Sequence, residues 1–378
     1  VKILHVSDCF LPRLGGIEVQ VGDLVRVQSE AGHEVEVATA TPGAAHDRVP
    51  VHRITAPLPF ELPVHPRGGF HLLRLFRRRR PDVVHCHVGA VSPFAWQGVR
   101  SAVEAGLPTV VTVHSMWDPA TQRLYRTLDG LLRWTRWGVV ATAVSEAAAR
   151  PIRRTAGRGV PVHVVSNGLD LSQWRPEGEP PPPHEGVHVV AVGRLAPRKQ
   201  PIGLVRLLDV ARRGVPAAIP MRATIVGDGP ARPAVERQVR ARGLDGWVSL
   251  PGRLSREEIR GLLAEADVFV APAPLESFGL AALEARTAGV PVVARESSGV
   301  ADFVRHGREG LLASDLRGLG EAVARLARDG ELRSRIAAHN RATEPSPAGW
   351  PAVLDGFERC YAEAAERALA RARSGAAL

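Results

Sequence analysis

The feature that most constrains this chain is an alternation of strand-like and helix-like stretches that stops once and then resumes. Short β-branched runs at residues 2–6, 35–39, 83–86, 109–113 and 139–144 are apolar enough to be buried on both faces, as strands of a parallel sheet are. Amphipathic stretches at 17–31, 91–105 and 145–155 lie among them, the last opened by Ser145, whose hydroxyl suits an N-cap. Parallel strands joined by right-handed helical crossovers imply a doubly wound sheet. At residues 175–185 the pattern breaks into RPEGEPPPPHE, where consecutive prolines exclude both helix and central strand. It then restarts, with strands expected at 187–192, 222–226, 247–250, 268–271 and 290–294. Helices are expected at 202–213, 230–242, 256–266 and 280–288. The fold class is therefore α/β, with Rossmann-like domains at 1–175 and 186–348 and a C-terminal helix within 349–378. Ligands of such sheets bind beyond the carboxyl ends of the strands, so a cleft where the two domains face one another is the expected site.

Composition narrows the partners. No run of 18 apolar residues is present, and the opening VKILHVSDCF reads as a strand rather than a leader, which points to a cytoplasmic protein. Three widely spaced cysteines, Cys9, Cys86 and Cys360, suit reduced buried thiols better than disulfides. A net charge of +10 favours anionic ligands. Nearly all of that charge is arginine, since Lys2 and Lys199 are the only lysines. A lysine at 199 in such a chain is a choice the composition does not explain.

The most specific segment is APAPLESFGLAALEARTAGVPVV, residues 271–293, in which Glu276 and Glu284 stand eight positions apart. Ser277, Phe278, Gly279 and Leu280 occupy the turn from strand to helix, where unpaired backbone N–H groups and the positive end of the helix dipole receive anions. Upstream, Arg194 offers a forked cationic donor set and Lys199 a point charge. Two cations can neutralise a diphosphate leaving group. No D-x-D sequence, the usual metal–diphosphate carboxylate pair, occurs in the chain. Gly15 and Gly16 lie between the first strand and first helix, where small residues let a ligand approach the backbone.

The 271–293 segment resembles the E-x7-E signature of family 4 glycosyltransferases, retaining enzymes of the GT-B fold. VAVGRLAPRKQPIGLVRLL, from Val190, resembles their donor-pyrophosphate strand, loop and helix. DCFLPRLGGIEVQVGDLVRVQSEAGHEVEVAT, from Asp8, resembles their N-terminal Gly-Gly loop and first helix. With TVHS, AVSE and SNGLD the likeness covers nearly the whole chain. It implies that Arg194 and Lys199 bind the diphosphate, with Gly15, Gly16 and the 277–280 turn enclosing the donor. It gives Glu276 and His114 to the sugar at the reacting centre, Glu284 to the ribose hydroxyls, and Arg253 and Leu254 to the nucleobase edge. No cofactor and no metal are expected, the nucleotide sugar being a co-substrate. The C-terminal helix should pack back toward the N-terminal domain.

Other readings are weaker on these residues. His85 and His87, an i, i+2 pair on one strand face, suggest a metal, but the sequence shows no third ligand. GDGP at 227–230 resembles a dinucleotide fingerprint that lacks its remainder; a tight turn with Pro230 at the first helical position is the better reading. That weakens the rival class, a dinucleotide-binding oxidoreductase. A non-transferring nucleotide-sugar enzyme such as an epimerase is a further rival, and nothing supports nucleic acid as a partner. Ser298 and Asp302 stand where family members commonly carry glycine and glutamate, which bears on specificity. The form E-S-F-G resembles members that use UDP-sugars such as UDP-GlcNAc or UDP-glucose, against the alternative of a GDP-mannose-dependent mannosyltransferase with a membrane lipid acceptor. Acceptor loops are expected at 8–14, 88–92 and 115–118. A small soluble acceptor is preferred, although the arginines at 77–80 after GFHLLRLF would suit peripheral contact with an inner membrane face.

Overall fold

The computed structural model describes residues 1–13, 15–44, 49–56, 63–176, 185–345 and 348–374. Leu14 of the first acceptor loop, most of the proline-rich segment (177–184) and the last four residues of the expected C-terminal helix lie outside these residues. The chain divides into two compact units, Val1–Gly168 with Trp350–Leu378, and Leu169–Gly349.

The first unit carries seven parallel strands: β1 (Lys2–Ser7), β2 (Glu34–Thr39), β3 (Val51–Arg53), β4 (Val83–Val88), β5 (Thr109–Val113), β6 (Val140–Ala143) and β7 (Val162–Val164). Their order is β3-β2-β1-β4-β5-β6-β7. The helix Trp350–Ser374 lies on one face of this sheet, burying Val353, Phe357 and Tyr361 with Ile3, Val83 and Val110. The expected return of the C-terminal helix to the N-terminal sheet is thus observed. Ser145 caps the helix Glu146–Ala156 by accepting from Ala148 N–H at 3.1 Å, as its position before the helical pattern predicts.

The second unit repeats the architecture with six parallel strands: β8 (Val187–Val192), β9 (Met221–Val226), β10 (Val248–Gly252), β11 (Val268–Ala271), β12 (Val292–Arg295) and β13 (Gly310–Ala313), ordered β10-β9-β8-β11-β12-β13. Both sheets therefore reverse direction of winding beside their first strand, β1 against β4 and β8 against β11. The crevice at that switch, outside the carboxyl ends of the strands, is where doubly wound sheets hold ligands.

Three strands, β3, β7 and β13, are missing from the sequence reading because VHR, VHV and GLLA are too short to show a pattern. Strand β12, expected from 290, starts at Val292, since Val290 N–H still closes the preceding helix on Ala285 O at 2.9 Å and Pro291 has no N–H to give. Pro230 is not the first helical residue. It lies in the turn before the helix Arg232–Ala241, and Pro233 occupies the helix's first turn. Ala231 N–H is drawn instead to Leu195 O at 2.9 Å, and the helix begins two residues later than expected.

Candidate active site

In the second unit the loops after β8 and β11 meet at the switch point. After β8, Gly193 and Arg194 lead to a single 3-10 turn, Pro197–Lys199, and Gln200 takes a left-handed backbone (φ 57°) before the helix Pro201–Arg213 begins. That turn aims Lys199 across at the β11 loop, where Nζ donates to Glu276 Oε2 at 2.6 Å. Lys199 is largely exposed and Glu276 mostly covered, so the lysine closes over the carboxylate from the solvent side. Arg194 and Arg253 are exposed, and neither guanidinium has a hydrogen bond or ion pair among the described residues. Both are free to meet a ligand.

Backbone hydrogen bonds staple this rim together. Gly193 N–H donates to Val226 O at 3.0 Å, Leu195 N–H to Asp228 O at 2.9 Å, and Gly227 N–H to Gly252 O at 2.7 Å, just before Arg253 and half-buried Leu254. The GDGP turn is therefore a structural clamp. A Cβ on Gly227, at φ 129°, would stand 2.0 Å from Gly193 O, so no side chain fits where the two loops cross.

Glu276 is held on its other side by Gly299 N–H, which donates to its carbonyl at 2.8 Å. Arg295, a buried residue that the sequence reading passed over, reaches Pro272 O at 3.3 Å and also Ser314 O, fixing the start of the same loop. Gly279 adopts φ 93° as the N-cap of the helix Leu280–Thr287, and Phe278 is pinned in the core 5.4 Å from the Phe303 ring. Ser277 and Leu280 are half-buried on the turn. Glu284 stands one turn into that helix, where burial pushes its carboxyl up to about 7 against a small opposing effect of Arg256. A carboxyl so placed gains from any hydroxyl that donates to it.

The first unit has its own cluster of histidines, on β1 and β4 and just after β5. His114 follows β5, its N–H bonded to Val88 O at 2.8 Å and its Nε2 3.0 Å from His87 Nδ1. His87 Nε2 lies 2.9 Å from His5 Nδ1, which the parallel register of β1 against β4 places beside His85. His5 is the third histidine that spacing along one strand does not show; only knowledge of which strands pair reveals it. The three could in principle surround a cation. Every one of their ring nitrogens, however, already has a hydrogen-bond partner. Burial lowers His5 and His114 to about 4, and His85 and His87 well below the ordinary imidazole value. All four rings are neutral at pH 7.

Gly15 is the N-cap and Gly16 the first residue of the helix Gly16–Glu30. A Cβ on Gly15 would meet the Glu18 carboxylate at 2.3 Å, whereas Gly16 has open space around it. A side chain is therefore accommodated at Gly16 without any shift, and at Gly15 only if Glu18 moves. Nearby, Asp8 Oδ1 accepts from Phe94 N–H at 2.8 Å at the start of the helix Pro93–Glu104, while Oδ2 is buried without a partner. Burial raises this carboxyl to about 6.

Comparison with known proteins connects the chain to an activity. The model of Glycosyltransferase Family 4 matches residues 14–173, and that of Glycosyl transferases group 1 matches residues 174–343. A D-inositol 3-phosphate glycosyltransferase of Jonesia denitrificans is 30% identical, with 80% of each chain covered. The chain belongs to glycosyltransferase family 4. Family 4 enzymes are retaining transferases with nucleotide-sugar donors, and this chain is one of them. A GDP-mannose-dependent alpha-mannosyltransferase of Mycobacterium tuberculosis is 28% identical over 94% of both chains. The GT-B fold is shown by HepE of Anabaena in complex with UDP, with a TM-score of 0.76, 19% identity, and 96% of this chain and 100% of that one covered. Among the described residues no helix of this transferase is long and apolar enough to cross a membrane.

Proposed function

We propose that this family 4 enzyme transfers a sugar from a UDP-sugar, UDP-GlcNAc or UDP-glucose, to a hydroxyl of a small-molecule acceptor, without a metal ion. The observation that carries the donor assignment is the Lys199–Glu276 pair at the carboxyl ends of β8 and β11. It puts a cation for the diphosphate within one hydrogen bond of a carboxylate suited to sugar hydroxyls. Arg194 supplies a second, unpaired cation on the same loop, and together they do the charge neutralisation that a divalent ion performs elsewhere. In the second unit the 277–280 turn faces the donor, Glu284 accepts from the ribose, and Arg253 with Leu254 lies at the nucleobase; in the first unit Gly15 and Gly16 are assigned to the donor. His114 belongs to the sugar.

Retention then proceeds by front-side substitution. The sugar–oxygen bond to the diphosphate breaks as the acceptor oxygen attacks the same face, and the departing diphosphate oxygen takes the acceptor proton. Glu276 is better placed to bind hydroxyls than to attack, because Lys199 already occupies one of its oxygens. UDP is favoured by the E-S-F-G form of the donor turn and by the UDP-bound relative. A second reading, GDP-mannose with a lipid acceptor, is favoured by the mycobacterial mannosyltransferase and by the basic helix Gly68–Arg79 with its exposed Phe70.

Thermal unfolding in the presence of UDP, GDP and NAD tests the reading. A nucleotide at 100 times its Kd stabilises by about 2.7 kcal/mol. Stabilisation by UDP supports the proposal, stabilisation by GDP alone transfers it to the mannosyl reading, and absence of stabilisation by either nucleoside diphosphate sinks both.

A further inference from the structure

The buried histidines of the first unit form one unbroken hydrogen-bonded path, and its direction can be worked out. Gln28 sits in the middle, with Nε2 donating to the Tyr361 hydroxyl at 2.8 Å and Oε1 facing His5 Nε2 at 2.8 Å. An amide oxygen can only accept, so His5 carries its proton on Nε2. A neutral imidazole has one proton, which leaves His5 Nδ1 an acceptor. That nitrogen must take a hydrogen from His87 Nε2, 2.9 Å away. His87 Nδ1 is then the acceptor, and takes a hydrogen from His114 Nε2 at 3.0 Å. The remaining nitrogen of His114, Nδ1, holds a lone pair and has no hydrogen-bond partner among the described residues.

The other arm agrees. Tyr361 accepts from Gln28, so its own O–H is free to donate to His85 Nδ1 at 2.9 Å. His85 Nε2 then donates to Thr112 Oγ1 at 2.6 Å, and Thr112 passes its hydrogen to Thr142 Oγ1, also at 2.6 Å. No ring is left with two protons or none. Burial keeps all these rings neutral at pH 7, the condition on which the one-proton count rests.

We propose that His87, His5 and Gln28 are positioning residues that hold His114 in a single tautomer, protonated at Nε2 and open at Nδ1. His114 thereby accepts a hydrogen bond from a hydroxyl of the donor sugar and cannot offer one. The assignment of His114 to the sugar rests on the function proposed above; the tautomer does not. A ring anchored on one nitrogen has its other nitrogen defined in both direction and polarity. Gln28 sets that polarity, because reversing its amide would reverse every bond along the path. Tyr361, on the C-terminal helix, accepts from that amide and carries the path on to His85. The His5–His85–His87 group is therefore a proton-ordered support for His114 and not a cation site.

Histidine 15N spectroscopy on the full-length protein reads the tautomer directly. His114, identified by loss of its signals in His114→Gln, should show Nδ1 unprotonated and Nε2 protonated at pH 7. Gln28→Glu keeps an acceptor toward His5 and should keep that tautomer. Gln28→Leu should give a mixture, as should Tyr361→Phe, which leaves the buried amide in place and serves if Gln28→Leu does not fold. With the loss of one neutral hydrogen bond to the sugar, Gln28→Leu should lower kcat about five- to tenfold, and Gln28→Glu should restore it. Protonated Nδ1 in the unaltered protein overturns the proposal. So does a tautomer indifferent to both Gln28→Leu and Tyr361→Phe, or one equivalent of zinc retained by His5, His85 and His87. If the tautomer follows Gln28 while His114→Ala leaves turnover unchanged, the relay stands and the placing of His114 at the sugar fails.

Discussion

Lys199 Nζ donates to Glu276 Oε2 at 2.6 Å, joining two residues 77 positions apart in the chain. Each was singled out for a different part of the donor, the lysine for the diphosphate and the glutamate for the sugar. On the proposed function a bound donor meets both at once, and the lysine divides its three hydrogens between the carboxylate and the phosphates. Removing the lysine should therefore affect both binding and turnover. Lys199→Ala should weaken UDP binding by roughly 10- to 100-fold, the range of one hydrogen bond to a charged group. Arg194→Ala should do the same. Glu276→Gln keeps the cations and should leave UDP affinity within a few-fold while turnover collapses. Isothermal titration with UDP beside initial rates separates the two effects. Lys199 is exposed enough that its loss should change folding stability by less than about 1 kcal/mol.

Glu284 gives the donor site a pH dependence. Burial raises its carboxyl to about 7 in the free protein, and hydroxyls that donate to it favour the ionised form. Binding then requires loss of a proton whenever the pH lies below about 7. Affinity for the nucleoside diphosphate should fall as pH drops from 7 toward 5, approaching tenfold per unit. Above 7 it should be flat. Glu284→Gln should bind more weakly at pH 8 and lose this slope; a wild-type Kd unchanged between pH 5.5 and 7.5 would remove Glu284 from the ribose.

Glycines on the two loops should behave differently. Gly279 has φ 93° and a Cβ there would lie 2.6 Å from Val300 Cγ2, so Gly279→Ala should cost about 2 kcal/mol of stability and disturb the helix start proposed to face the donor. Gly16 has neither constraint. Gly16→Val should leave the urea midpoint nearly unchanged and yet reduce turnover, if a ligand occupies the open space beside it. A variant that keeps full activity would show that the space is not used.

The sequence carried more of the second unit's site than of the first's, for a physical reason. Arg194 with Lys199 and Glu276 with Glu284 lie on two well-patterned strand–loop–helix segments, and within each segment the pair is near in sequence; only the contact between the segments is a property of the fold. The support beneath them is less legible. Arg295 acts through a carbonyl 23 residues away, and the GDGP clamp is recognisable only once Gly193 O is seen against Gly227. In the first unit the important relation is lateral. His5 meets His85 and His87 through the register of β1 and β4, and Tyr361 joins from a helix at the far end of the chain. Which strands are neighbours is a property of the fold, so the pair of histidines on β4 alone suggested a metal with a ligand missing. Short strands such as β7 were invisible for a different reason, since three residues contain no period.

Asp8 supplies the last expectation. One of its oxygens accepts from Phe94 N–H and the other is buried without a partner, so burial outweighs the hydrogen bonds and lifts the carboxyl to about 6. The native state consequently holds the Asp8 proton more tightly than the unfolded chain, whose value is near 3.8. Native stability from this group is complete below about pH 4, declines as pH rises from 4 to 6, and is level above 6. A displacement of that size has a ceiling of roughly 3 kcal/mol. Asp8→Asn cannot ionise and keeps an oxygen for Phe94 N–H. Its stability relative to wild type should rise by up to that amount between pH 4 and 6 and then stay constant to pH 8. Urea unfolding of both proteins across this range measures the difference. A constant difference from pH 4 to 8 would mean that Asp8 is ionised at low cost in the folded protein, with a solvent or ligand partner for its second oxygen.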